Sequence, residues 1–330
     1  MEHYRLYHED IPEIIADLAA VPEMQRLRGV GMNCGCEYTA FPMFTGLQPY
    51  SRFDHSMGAA LIVWHFTRDP AQTVAALLHD IATPVFAHVI DFLRGDHLTQ
   101  EATEEGTAEM IATSDAIQRC LDRYGLTTAD VADYHRYPIA DNDTPRLSAD
   151  RLEYTIGNVI NYGICTADEA AAFYHDLTVD TNEDGQSELV FRTEDTARKF
   201  TRAALACSRI YVADADRYAV QMLAECLRDA IACRAVTYAD LYTTEPEIID
   251  KLLRQDASRG RWLDFRQLHA MRTGNRPDDH PGWRRIPAKK RFIDPYVMHT
   301  GRISALDAAV RGELDAFLRE DLTGWICSAE

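Results

Sequence analysis

The chain has 330 residues, 46% of them hydrophobic, and a formal net charge of -18. That is enough apolar material for a sizeable core, while the charge argues against a polynucleotide partner, because duplex affinity comes largely from phosphate neutralisation. The longest apolar run, AALIVW, is far too short to cross a bilayer, and MEHYRLYHEDIPE lacks the basic start and apolar stretch of a secretory signal, so a cytoplasmic protein with 8 reduced cysteines and no membrane partner is expected.

In chain order, Pro12 and Pro22 stand where first-turn prolines belong and predict two short helices. Gly29, Gly31, Gly35, Pro42, Gly46 and Pro49 mark residues 29–51 as loop and short extended pieces. Within it, Cys34 and Cys36 have no second Cys/His pair at zinc-ligand spacing and read as small residues of that loop. Helices are expected from Asp54 to about Thr67 and from Ala71 to Ile81, the second with Asp69-Pro70 as cap and first turn. Pro84 restarts the chain toward VFAHVIDFL. Further helices are expected over 101–112, 115–124 and 147–160, and Thr166 and Glu169 have capping-box spacing. Two extended runs within 177–192 flank the turn NEDG and predict a hairpin. A long helical stretch over 194–234, a helix capped near Thr244, the extended RRIPAKKRFIDPYV and an amphipathic helix from Ser304 to about Arg319 follow. The expected fold is mainly α with a small β-hairpin.

Four residues carry the chemistry. His55 sits in SRFDHSMG, His79 and Asp80 close the apolar run AQTVAALLHD, and Asp150 opens SADRLEY. Two neutral imidazoles and two carboxylates suit one divalent ion (Mn, Fe, Ni, Zn or Mg) and leave positions open for water and a phosphoryl oxygen. A carboxylate beside a run as apolar as VAALL costs several kcal/mol to bury unpaired, and a cation would compensate it. His88 and Asp91 are one turn apart, a spacing that lets the carboxylate orient the imidazole.

With these segments, the order H…HD…D resembles the HD-domain metal-dependent phosphohydrolases, in particular the dGTP and dNTP triphosphohydrolase-like branch. The likeness runs from DIPEIIADLAAVPEMQRLRGVGMNCG to FIDPYV. It implies an HD-domain helical bundle over residues 1–235, a C-terminal accessory lobe over 236–330 with an extended basic segment, and a metal-activated water attacking a small phosphorylated substrate, a nucleotide above all. It also implies metal ligation by His55, His79, Asp80 and Asp150, phosphate contact by Arg52 and Arg151, and sugar- or base-side contacts by Tyr154, Asn158 and Tyr211. His88 and Asp91 fall near the scissile phosphate. Self-association into a homo-oligomer is implied as well.

The chain departs from that pattern where the triphosphohydrolases carry histidines. Thr83 replaces one, and Gln100-Glu101 stands for a His-Glu pair, with His97 an alternative occupant of the vacated role. A neutral amide is neither general acid nor base. Met32 and Val212 stand at two glutamines, and Asn158 at an aspartate. The basic cluster Arg284, Arg285, Lys289, Lys290 and Arg291 resembles a nucleotide-binding segment of the family but reads here as a salt-bridged surface. Two alternatives to the hydrolase follow: a non-catalytic nucleotide sensor on the same scaffold, and a diiron oxygenase, for which only His88 and His97 offer further ligands.

Overall fold

A computed structural model describes residues 3–94, 106–274 and 281–329. Its central element is the helix Arg52–Thr67, which starts two residues before the expected Asp54 because Ser51 and Asp54 cap each other reciprocally. Arg52 through Val63 are all buried, so the first three turns of this helix are wrapped by others, and only its last turn, at His65, reaches solvent. The helix Pro70–Leu78, capped by Asp69 with Pro70 in its first turn, packs along one side, and Ala149–Asn161, capped by Ser148, along another. Pro70–Leu78 ends early, which leaves His79 as its C-cap and Asp80 in the following turn.

The Thr166 capping box and the hairpin form as expected. Strand Leu177–Thr181 pairs antiparallel with Ser187–Phe191, with Leu177 opposite Phe191 and Thr181 opposite Ser187. Short strands Tyr296–Val297 and Gly301–Arg302 extend this sheet, and Met271–Gly274, Trp325–Ser328 and Arg284–Arg285 make a second one. Helices otherwise dominate the described residues.

Three further expectations are corrected. The stretch 194–234 is two helices, Glu194–Tyr211 and Asp214–Ala232, because Ala213 takes extended dihedrals (φ -61°, ψ 150°) and Arg217 Nε donates to the Val212 carbonyl at 3.0 Å, holding the break. Neither residue is a helix breaker, so tertiary contacts override local preference here. The last amphipathic segment is likewise Ile303–Leu306 followed by Ala308–Arg319, with Asp307 capping the second. His88 precedes rather than joins the helix Val89–Arg94. Its approach is a tight turn in which Phe86 (φ 58°) and Ala87 (φ 45°) are both left-handed, each at a cost of about 1–3 kcal/mol, with both side chains fully buried.

No helix of the described residues is long and apolar enough to cross a membrane.

Candidate metal centre

His55, His79 and Asp80 come together as a buried cluster at the junction of the two central helices. The facing nitrogens His55 Nε2 and His79 Nε2 are 3.2 Å apart, and Asp80 Oδ2 lies 3.9 and 3.6 Å from them. Asp150, in the first turn of Ala149–Asn161, places Oδ1 3.0 Å from His55 Nε2 and 3.7 Å from His79 Nε2. Atoms held about 2.1 Å from one ion lie roughly 3–4 Å apart, so these spacings fit a shared divalent cation.

What surrounds these candidate ligands fixes their orientation. His79 Nδ1 donates to the Ala76 carbonyl at 2.7 Å, and His55 Nδ1 donates to Glu153 Oε2 at 2.5 Å, so each imidazole turns Nε2 to the centre. Glu153 is fully buried and also accepts from Tyr50 Oη at 2.5 Å. Space for this pair comes from two glycines: a Cβ on Gly58 would sit 2.5 Å from Glu153 Cγ, and one on Gly157 would sit 2.6 Å from Tyr50 Oη. Asp80 is held at both oxygens, Oδ2 by Arg52 Nη1 at 2.9 Å and Oδ1 by Thr83 Oγ1 at 2.7 Å. Thr83, a departure from the triphosphohydrolase pattern, thus steadies the candidate ligand Asp80. Arg26 clamps the same turn from behind, donating to the carbonyls of Ile81 at 2.9 Å and Thr83 at 2.8 Å.

The charges are mutually adjusted. Burial raises the Asp80 carboxyl, but Arg52 and the two histidines outweigh it and hold it well below the carboxylate range. Asp150 is also depressed, against its burial, by the hydrogen bond from His55. Burial lowers His55, yet the Asp150 and Glu153 carboxylates prevail and raise it to about 10.

The cluster opens into a cavity of about 790 Å³, within the usual range for small-molecule sites. Arg52, Arg151, Tyr154, Asn158 and Tyr211 all line it. Arg52 gives one nitrogen to Asp80, and its buried Nε has no partner among the described residues. Arg151 is committed to the 141–148 loop through Asn142, the Arg146 carbonyl and Asp141, so it is neither a solvated charge nor turned wholly to the cavity. Tyr154 stands between His55 and Tyr211, with ring centroids 6.5 and 6.4 Å away, and Asn158 Nδ2 donates to Tyr211 Oη at 2.7 Å. His88 lines the cavity too, its Nδ1 donating to buried Asp91 at 2.9 Å. Burial, with help from Arg291 and Arg52, lowers the His88 pKa below its ordinary 6.5 despite Asp91. Neutral His88 therefore turns an unprotonated Nε2 away from Asp91.

His97, Gln100 and Glu101 lie outside the described residues. The basic cluster divides. Arg284 pairs with Glu225, and Lys290 donates to the Leu318 carbonyl, as a surface reading expects. Lys289 and Arg291 instead line the cavity, and the Arg291 charge acts on both His88 and Tyr154. Sequence reasoning missed Glu153, Tyr50, Arg26 and Tyr134, whose ring stands 5.0 Å from that of His79. Only Gly58 and Gly157, each one helical turn from His55 or Glu153, hinted at a crowded helix crossing. A second cleft of about 340 Å³, beside His65 and Tyr174, holds no metal-ligating cluster among the described residues.

No protein-family model matches the chain. It is similar to the uncharacterized protein YdhJ of Bacillus subtilis, 23% identical over 250 residues that span 76% of this chain and 73% of the relative. It is also similar to the metal-dependent phosphohydrolase cns2 of Cordyceps militaris, 27% identical over 168 residues, 50% of this chain and 46% of the relative. Among solved structures, a phosphohydrolase from Bacteroides thetaiotaomicron superposes with TM-score 0.69 at 16% identity, covering 97% of both chains. A hypothetical protein from Aquifex aeolicus does so with TM-score 0.67 at 16% identity, covering 96% of this chain and 93% of the other. The chain thus has the mainly helical fold of the Bacteroides phosphohydrolase, and a metal-dependent phosphohydrolase is among its homologues.

Proposed function

We propose that the chain is a metal-dependent phosphohydrolase acting on a small phosphate ester or anhydride, with a nucleotide as the substrate class. The observation that supports it is the convergence of His55, His79, Asp80 and Asp150 at one end of a cavity that also holds Arg52, His88 and three aromatic or amide side chains. A divalent ion in that cage supplies Lewis-acid polarisation of a phosphoryl oxygen and lowers the pKa of water. The protein's own groups do the rest. Arg52 fixes Asp80 and turns positive charge toward the phosphate oxygens. His88 offers Nε2 as a proton acceptor, and Asp91 holds its tautomer. Tyr154, Tyr211 and Asn158 receive the part of the substrate beyond the phosphate. In this reading residues 1–235 carry the cage, and 236–330 contribute the roof through Lys289 and Arg291. The sensor alternative draws less support, because Thr83 braces Asp80 instead of marking a decayed site.

The test is a screen of metal-loaded protein against nucleoside mono- and triphosphates and simple phosphate esters, resolving phosphate, pyrophosphate and triphosphate. Metal-dependent release is expected, with loss of both metal and turnover in Asp80→Ala. Full metal occupancy in Asp80→Ala would sink the ligand assignment, and a fully loaded wild type inert to the whole panel would sink the hydrolase.

A further inference from the structure

The cavity lining is chemically mixed. The candidate metal cage is joined there by Arg52 and His88. Where the loop at Asn33 and Cys34 meets the first turn of the helix Asp214–Ala232, a carboxylate, Asp216, lines the same cavity. A carboxylate is ill suited to a phosphate, since like charges repel at close range. It suits a hydrogen-bond donor on the rest of the substrate.

The fold goes out of its way to put it there. In an unbroken helix Tyr211 and Asp216, five residues apart, would point about 140° apart and could not share a wall. The break at Val212–Ala213 brings both into the cavity. Arg217 is turned away from its neighbour, with its guanidinium given to the carbonyls of Val212, Ile286 and Leu322 and to Asp214. Among the described residues Asp216 accepts only from the Cys36 thiol, at a long 3.7 Å. Burial pushes its carboxyl up to about 7, the mark of a carboxylate lacking strong donors. Nearby, the Asn33 side-chain carbonyl accepts from Tyr162 Oη at 3.2 Å, while the Asn33 amide nitrogen donates to no described residue. One acceptor and one amide donor therefore line the same cavity as the rings of Tyr154 and Tyr211, which follow one another from His55 at centroid spacings of 6.5 and 6.4 Å. Aromatic faces with a paired acceptor and donor are complementary to a flat heterocycle that carries an amino group beside a ring acceptor.

We infer that Asp216 is a specificity residue that accepts a hydrogen bond from the exocyclic amino group of a nucleobase on the leaving side of the substrate, with Asn33 donating to the same base. This rests on the cavity being the substrate site of the proposed phosphohydrolase.

Calorimetry with phosphate-free nucleosides tests the wall apart from the chemistry. Adenosine is compared with purine riboside, which lacks only the amino group, and guanosine with inosine, each against wild type, Asp216→Ala and Asp216→Asn. Wild type is expected to prefer at least one amino-bearing member of a pair by tenfold or more. That preference should collapse toward unity in Asp216→Ala and be partly retained in Asp216→Asn, whose amide carbonyl still accepts. The ratio of kcat/KM for the matching nucleoside monophosphate over ribose 5-phosphate should fall by the same factor. Equal affinities within both pairs in wild type, or a preference that survives Asp216→Ala, would overturn the inference. Discrimination among nucleosides without hydrolysis of any phosphate would instead overturn the hydrolase and leave the wall standing.

Discussion

Glu153 Oε2 accepts from two donors at once, His55 Nδ1 and Tyr50 Oη, so the candidate-ligand imidazole and the segment just ahead of its helix share one carboxylate. In Glu153→Gln only the amide oxygen can accept, and the His55 ring loses its charged anchor. Metal affinity should fall about 10- to 100-fold, the usual cost of losing such a partner, as read by competition with a chromophoric chelator. Unchanged affinity would remove Glu153 from the assembly that orients His55. His88 gives a second expectation. Because its pKa is held below the ordinary 6.5, neutral His88 persists to lower pH, and the acidic limb of kcat/KM should lie below that value. Arg291 is one of the charges that depress it, so Arg291→Gln should move this limb upward, a shift that pH-rate profiles would detect. The candidate ligands were legible as a set, because His-Asp after VAALL is hard to explain otherwise, and the structure does bring them together. Glu153 was not, since a glutamate three residues after a helix-opening aspartate looks like any solvent-facing charge until the neighbouring helix is in place. Arg291 was hidden by its company, in a run of basic residues of which only some face the cavity.

Helix crossings decide how closely that network can be packed. Gly58 lets Arg52–Thr67 approach Ala149–Asn161 with Glu153 between them, and Gly157 does the same for Tyr50. Gly58→Ala should cost about 1–3 kcal/mol by overpacking and should also weaken metal binding, because the clash falls on Glu153 itself. Thermal melts with and without metal would separate the two effects; a stability loss with metal affinity untouched would show that Glu153 can shift without disturbing His55. Element types were readable where chemistry marked them: Asp69, Thr166 and Thr244 cap helices and NEDG turns a hairpin, whereas the Ser51 cap, which starts its helix before the expected Asp54, went unread. The break at Val212–Ala213 was not readable, because it is imposed by Arg217 and by packing and not by any glycine or proline.

For the molecule as a whole, buried acids outside the metal cage set how stability follows pH. Burial, and then the neighbouring Glu245, raise the Glu37 carboxyl to about 8, and burial raises Asp216 to about 7. Both folded values exceed those of the unfolded chain, so the folded state retains protons that the unfolded state has lost. This stabilisation is complete below about pH 4 and is lost as pH rises through 7 to 8. The melting temperature should therefore decline between pH 5 and 8 by an amount that Glu37→Gln reduces, and equal slopes for the two proteins would show that Glu37 ionises normally.

The cavity is assembled from segments far apart in the chain: its cage is complete by Asp150, whereas Lys289 and Arg291 in its lining come much later. Synthesis runs from the N-terminus, so on a translating ribosome the four candidate ligands emerge well before the segment that brings Lys289 and Arg291 to the cavity wall. The donor set is therefore made before two of the cavity's cations, and the charge balance of the finished site is settled last.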